Sequence, residues 1–149
     1  MKKSVPVVLL VLGALSFLGC ATAPARKVIK TDGAPPALAA YSQAIQVGNT
    51  VWLAGQLGMD PKTRELAPGG IEAEVRQALE NCKAILAAAG FTLADVVQVQ
   101  VLLADIDDYA ALNKVYVTYF PKDPPARAAY AVGSLPRGAK VEILMTAAK

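Results

Sequence analysis

The chain contains no histidine. That absence removes a serine–histidine triad, imidazole acid–base chemistry and nearly every zinc site. Any catalysis has to use carboxylate, tyrosine, arginine, backbone groups or water. Cysteine is almost as scarce. Of the two present, Cys20 ends an apolar N-terminal segment, which leaves Cys82 with no partner for an internal disulfide. A large excess of one charge is also missing. The formal charge is +3, and setting aside Lys2 and Lys3 of the N-terminal segment lowers it to +1. A basic nucleic-acid-binding surface is therefore not indicated. The stretch "GNTVWLAGQLG" scatters its glycines without phosphate-loop spacing, which argues against a nucleotide site. There is no internal repeat.

What is present begins with a leader. "MKKSVPVVLLVLGALSFLGC" has two lysines, an apolar run from Val5 to Leu18, and a small residue before Cys20. The run is shorter than the roughly 20 residues a spanning helix needs, which favours a secretory signal over a permanent anchor. The Gly19-Cys20 step resembles the lipobox of bacterial lipoproteins, in which the cysteine becomes the lipidated first residue, although Phe17 and Leu18 depart from its usual pattern. Ala21 after it resembles an outer-membrane address. The expected organisation is a signal peptide over 1–19 with lipidation at Cys20, a short tether over 20–26, and one domain over 27–149. The expected location is the cell envelope, facing the periplasm, with the membrane reached through the lipid.

Along the domain, "YSQAIQVGNTVWLAGQL" predicts two strands joined at Gly48-Asn49. Asp60-Pro61 opens a turn-rich loop. From Ile71 the period becomes helical. Ile71, Val75, Ala78, Cys82, Ile85 and Ala89 share one face, Glu72 and Glu74 sit where the dipole favours acids, and Gly90 ends the run. Cys82 on the apolar stripe reads as a buried small hydrophobe. "ADVVQVQVLLAD" predicts a strand with Val97, Val99 and Val101 on one face. Asp107 or Asp108 is expected to cap a second helix with Leu112, Val115, Tyr116 and Tyr119 as its apolar side. "ARAAYAVGSL" and "KVEILMTAA" are the last strands. This order suits a mixed sheet with two helices on one face, leaving the other face for a homo-oligomer to cover.

Arg127 opens an apolar strand after two prolines. Its planar fork suits a carboxylate, and a buried unpaired charge costs several kcal/mol, so it requires either a permanent acidic partner or an anionic ligand. Glu142 stands between Val141 and Ile143 and faces the opposite way from both. It is either a solvated outer-face residue or a carboxyl at a pocket or subunit interface, able to position water. A third arrangement pairs Arg127 with Glu142 directly across neighbouring strands. Tyr41 and Asn113 are unremarkable by themselves, and Met59, Met145 and Trp52 read as core or rim.

Three segments together carry a resemblance. "RKVIKTDGAPPALAAYSQAIQVGNTVWLAGQLGMDPKTREL", "EAEVRQALENCKAILAAAGFTLADVVQVQVLLADIDDYAALNKVYVTYF" and "PPARAAYAVGSLPRGAKVEILMTAA" are similar to the reactive intermediate deaminase family, also called the RidA or YjgF family. The resemblance implies a chorismate-mutase-like α+β fold, homotrimers with clefts between subunits, and hydrolysis of 2-imino acids or their enamine tautomers to 2-oxo acids and ammonia without metal or cofactor. It implies that Arg127 grips the substrate carboxylate and that Glu142 serves the attacking water. Tyr41, the Gly55 backbone, Asn113 and Ala129 would complete substrate binding. The chain departs from the family pattern at Ala39-Ala40, Ala54, Ala128 and Leu144, where polar groups or a Gly-Pro step are common. The expected pocket is therefore more apolar than usual. The competing expectation is a non-catalytic trimeric lipoprotein that binds a small carboxylate.

Overall fold

A computed structural model describes residues 24–149. The leader over 1–19, Cys20 and the start of the tether lie outside the described residues. β1 (Arg26–Ile29) opens at the last residue of the expected tether. β2 (Ala44–Val47) and β3 (Thr50–Leu53) form the expected hairpin, with Val47 opposite Thr50 and Gly48 supplying the positive φ of the turn. The two-residue β4 (Gln56–Leu57) follows. In the next loop the Asp60 carboxylate accepts the backbone N–H groups of Lys62 and Thr63, a local turn that competes with regular structure.

α1 (Ile71–Ala88) has the expected period, and Val75, Ala78, Leu79, Cys82, Ile85 and Leu86 are buried along one face. Gly90, at φ 81°, lies just past its end. Glu74 does more than meet the helix dipole. It is buried, and its Oε2 accepts the Lys140 N–H at 2.7 Å, tying the helix start to the far end of the chain.

β5 (Val96–Leu103) corrects one expectation. Its register shifts between Val96 and Gln98, so Val96, Val99, Val101 and Leu103 are buried while Val97 is exposed. A bulge inserts one residue and moves Val97 to the face opposite Val99 and Val101. A second correction concerns the next cap. Asp105 accepts the Asp107 N–H at 2.9 Å over a 3₁₀ turn, and neither Asp107 nor Asp108 caps α2 (Tyr109–Tyr119) with its side chain. In α2, Leu112, Val115 and Tyr116 are buried, and the hydroxyl of Tyr119 donates to Glu80 of α1.

β6 (Ala126–Ala131) and β7 (Val141–Ala148) complete a sheet of order β1-β2-β3-β7-β5-β6, with β4 also paired to β7. All pairs are antiparallel except β5–β6, whose parallel crossover is made by α2. Val141, Ile143, Met145 and Ala147 of β7 face a core closed by both helices. On the other face Val28, Trp52, Val97 and Tyr130 are exposed. The architecture is the α+β mixed sheet with two helices anticipated above.

Candidate active site

Arg127 stands on β6 opposite Val99, on the side of the sheet that carries the helices. Its Nη2 donates to Asn113 Oδ1 at 2.7 Å and to Tyr109 Oη at 3.1 Å. The guanidinium carbon lies 4.5 Å from the centre of the Tyr116 ring and 5.6 Å from that of Tyr109, close enough for cation–π attraction. Among the described residues no acid forms a salt bridge with Arg127, and none accepts from its Nε or Nη1. The guanidinium is thus held by neutral groups that fix its plane without neutralising it. A guanidinium has five N–H donors, and those on Nε and Nη1 remain for an anion.

The support beneath is rigid. Tyr116 is buried and stacks on Phe120 at 4.7 Å, and its hydroxyl has no hydrogen-bond partner. Burial pushes that phenol up to about 12, with the nearby Arg127 charge opposing the shift. A cavity of about 310 Å³ opens beside the guanidinium, walled by Val117, Phe120, Pro124 and Pro125. Ala129 shares Arg127's face of β6 but packs against the core and does not line this cavity.

Glu142 is elsewhere. It lies on β7 opposite Leu57 and Leu102, on the face away from the helices. It is half-buried, and desolvation holds its carboxyl above the ordinary range. Gly55 passes directly over it. A Cβ on Gly55 would fall 2.6 Å from the Glu142 Cδ, 2.9 Å from Cγ and nearer still to Oε1. Glycine is needed here for the close approach of backbone to carboxyl. A cavity of about 340 Å³ joins Glu142 and Gly55 to Tyr41, Ala54, Leu57 and Arg137. Tyr41 is at its rim, with its hydroxyl accepting the Leu38 N–H at 3.1 Å.

The loop beneath Tyr41 is built by its neighbour Gln43. That buried amide donates to the carbonyls of Thr31, Ala34 and Pro35 and accepts from Thr31 N. The Gln56 amide likewise turns back onto the Ala54 and Gly55 carbonyls and braces the glycine over Glu142.

Two groups therefore emerge. Arg127 and Asn113 come together, and so do Tyr41, Gly55 and Glu142. The groups are on opposite faces of the sheet with β5 between β6 and β7, so the direct Arg127–Glu142 pair considered from the sequence does not form. That third arrangement required the last two strands to be neighbours, and long-range pairing inserts β5 between them. Sequence reasoning also missed Tyr109, which alternates with nothing and stands only at a helix start. Arg137 was missed as well. It adopts φ 60° within a 3₁₀ turn, lines the Glu142 cavity, and lies 3.7 Å from Glu65.

Comparison with known proteins follows the same outline. The family model described as Endoribonuclease L-PSP matches residues 31–149. The 2-iminobutanoate/2-iminopropanoate deaminase of Rattus norvegicus is 52% identical over 118 residues, covering 79% of this chain and 86% of the rat protein. The crystal structure of RidA from the Antarctic bacterium Psychrobacter sp. PAMC 21119 superposes with a TM-score of 0.80 at 49% identity, covering 83% of this chain and 99% of that one. That of E. coli TdcF with bound serine gives 0.79 at 35% identity, with 83% and 98% covered.

Proposed function

This chain belongs to the endoribonuclease L-PSP family, and from that membership we propose that it hydrolyses 2-imino acids, or their enamine tautomers, to 2-oxo acids and ammonia. The rat relative is named for this reaction on four- and three-carbon imino acids. The observation that carries the reading is Arg127: a guanidinium held by Asn113, Tyr109 and Tyr116, with no acid among the described residues paired to it and its Nε and Nη1 donors left for an anion. The TdcF structure holds bound serine, a small molecule whose carboxylate stands beside a nitrogen-bearing carbon.

The chemistry follows from that placement. Arg127 takes the substrate carboxylate through its charged N–H donors and so presents the adjoining C=N carbon in one orientation. Water adds to that carbon, its oxygen forming the new bond while the π pair moves to nitrogen. Proton transfers then form the carbonyl and release ammonia. Glu142, whose desolvated carboxyl exchanges a proton more readily near neutrality than an ordinary glutamate, holds the water and shuttles these protons. Tyr41 and the Gly55 backbone line its side of the cleft.

Because Arg127 and Glu142 are on opposite faces of one sheet, the reading requires a second copy. In a homotrimer the Arg127 edge of one subunit meets the Glu142 face of the next, and the exposed Trp52, Val97 and Tyr130 are covered by the other copies. A nucleolytic role is not what these residues favour, since no imidazole and no strong basic surface is present.

The test is to generate 2-iminopropanoate in situ and follow its decay with wild type and Arg127→Ala. Equal rates for the two remove the proposal. The apolar lining by Leu38, Ala54 and Leu57 favours a second reading, in which the cleft binds a small carboxylate without turnover. Calorimetric binding of a 2-oxo acid, lost in Arg127→Ala but unaccompanied by imine decay, would select it. The proposal extends to export and lipid attachment at Cys20, motivated by Lys2, Lys3, the apolar run and Gly19-Cys20. Cys20→Ser should shift the protein from membrane to soluble fractions, and an unchanged distribution refutes the anchor.

A further inference from the structure

Neither the sequence pattern nor the family resemblance assigns a role to Asn81. It stands within α1 and is fully buried. A buried amide needs fixed partners for its donors. Both hydrogens go to the segment around β4: Asn81 Nδ2 donates to the Leu57 carbonyl at 3.1 Å and to the Met59 carbonyl at 2.8 Å. Its Oδ1 accepts from Gln77 Nε2 at 2.9 Å, one turn earlier in the helix, which sets the plane of the amide. β4 needs this support. It has two residues, and among the described residues it pairs with β7 alone, so the carbonyls of its other edge have no strand partner. Gly58, between the two bonded carbonyls, is pressed onto the backbone of α1. A Cβ there would lie 2.4 Å from Glu74 Cα and 2.5 Å from the Glu74 carbonyl oxygen. The Gly58 carbonyl itself accepts the Ala67 N–H at 2.8 Å. The segment is therefore clasped to α1 at Leu57, Gly58 and Met59. What it carries is the wall of the Glu142 cavity. Leu57 is the cross-strand neighbour of Glu142, and Gly55, two residues earlier, passes over the carboxyl.

We infer that Asn81 is a positioning residue for Glu142: its amide fastens β4 to α1 and so holds Gly55 over the carboxyl, which fixes where that carboxyl meets the water. The inference rests on the reading of Glu142 as the group that serves the water. It also says which kinetic constant responds. The substrate carboxylate is held by Arg127 on the opposite face of the sheet, so that contact does not pass through β4. Loosening the clasp misplaces the Glu142 carboxyl and slows the step after binding.

The experiment measures kcat and KM for 2-iminobutanoate, and Tm, for wild type, Asn81→Asp, Asn81→Ser and Glu142→Gln, and for Asn81→Asp combined with Glu142→Gln. Aspartate keeps the size and the acceptor for Gln77 but brings no hydrogens to the Leu57 and Met59 carbonyls. Serine keeps one donor. Ile85→Ala hollows the core from the same helix and is the control for a protein that is only less stable. All assays run well below every Tm. Asn81→Asp should lower kcat about tenfold, the effect of a carboxyl displaced by roughly half an ångström, with KM within about twofold. Asn81→Ser should fall between it and wild type. In the Glu142→Gln background the aspartate should cost less than about twofold in kcat, because the group it misplaces is already gone. Ile85→Ala should lower Tm and leave kcat unchanged.

An Asn81→Asp protein with lowered Tm and wild-type kcat overturns the inference, since the amide then only stabilises. So does an equal loss of kcat with and without the Glu142 carboxyl, or a loss that falls on KM alone. If neither Asn81 variant folds, hydrogen exchange in wild type decides. The β4 amides bonded to β7 should exchange no faster than those of buried α1, and exchange about a hundredfold faster overturns the clasp. If Glu142→Gln turns over as fast as wild type, the reading of Glu142 fails and the inference with it. A slow Glu142→Gln beside unimpaired Asn81 variants removes only the role of Asn81.

Discussion

Gly55→Ala is the most direct probe of how the Glu142 side of the cleft is built. Gly55 does not have a positive φ, so alanine suits the backbone there and, other things equal, would stabilise by about 0.4–1 kcal/mol through the unfolded chain. The obstacle is the carboxyl. The added methyl would lie 2.6 Å from Glu142 Cδ and 2.9 Å from Cγ, against roughly 3.5–4.0 Å for a relaxed carbon–carbon contact. The side chain must therefore move by about 1 Å or the strands must separate. Overpacking of this size costs about 1–3 kcal/mol.

All three of the nearest atoms belong to the Glu142 side chain beyond Cβ, and Glu142→Ala removes them. In that background Gly55→Ala should be neutral or mildly stabilising, which gives a coupling of about 2 kcal/mol between the two positions. Urea denaturation of the four proteins at one concentration measures it. In the activity assay, Gly55→Ala alone should lower the rate by about a hundredfold, because a displaced carboxyl no longer meets the water. An equal stability change in both backgrounds, with activity retained in the single variant, would show that the carboxyl does not sit under Gly55.

Three further outcomes are expected. Burial raises the Glu142 carboxyl above its unfolded value, so the folded protein holds that proton to higher pH and loses stability as pH climbs from about 4.5 through the folded value. Glu142→Gln escapes that loss: its Tm advantage over wild type should be larger at pH 8 than at pH 4, and a pH-independent difference contradicts the desolvation. Gln43→Met keeps the shape but orphans the carbonyls and N–H of the 31–35 loop. It should lower stability by roughly 2–4 kcal/mol by urea denaturation, a cost of several unmet hydrogen bonds, and a loss under about 0.5 kcal/mol counts against the loop's dependence on it. Cys82 is fully buried and its thiol is pushed far up by desolvation. In a Cys20→Ser background it should resist a thiol reagent at pH 8 until urea unfolds the protein, and rapid labelling of the native state contradicts its burial.

Local elements were legible wherever one repeating pattern ran long enough to declare a face. The stripe of α1, the Gly48-Asn49 hairpin and the last strand, with Glu142 facing the opposite way from Val141 and Ile143, all appear as read. The reading failed where a single residue broke the pattern. The bulge at Val96–Gln98 reverses Val97, and Asp105, not its neighbours, takes the capping N–H. Neither change leaves a periodic mark, because each is a local choice among near-equivalent hydrogen-bond partners. The candidate site was legible in its charged members for a different reason: Arg127 and Glu142 are ionisable groups in apolar strands, and such positions demand an explanation. Tyr109 offered no such contrast, since a tyrosine at a helix start disturbs no pattern.

Residue type and spacing by themselves settle which segments become helix or strand, which faces are apolar, and which chemistry is out of reach without histidine. Those properties depend on neighbours within a few turns of chain. The tertiary structure alone decided that β5 runs between β6 and β7, that Arg127 therefore points to the helices while Glu142 points away, and that a tyrosine 18 residues earlier bonds the Arg127 guanidinium. Strand order is chosen by the free energy of burying whole faces together, a sum over distant partners that no short window of sequence contains.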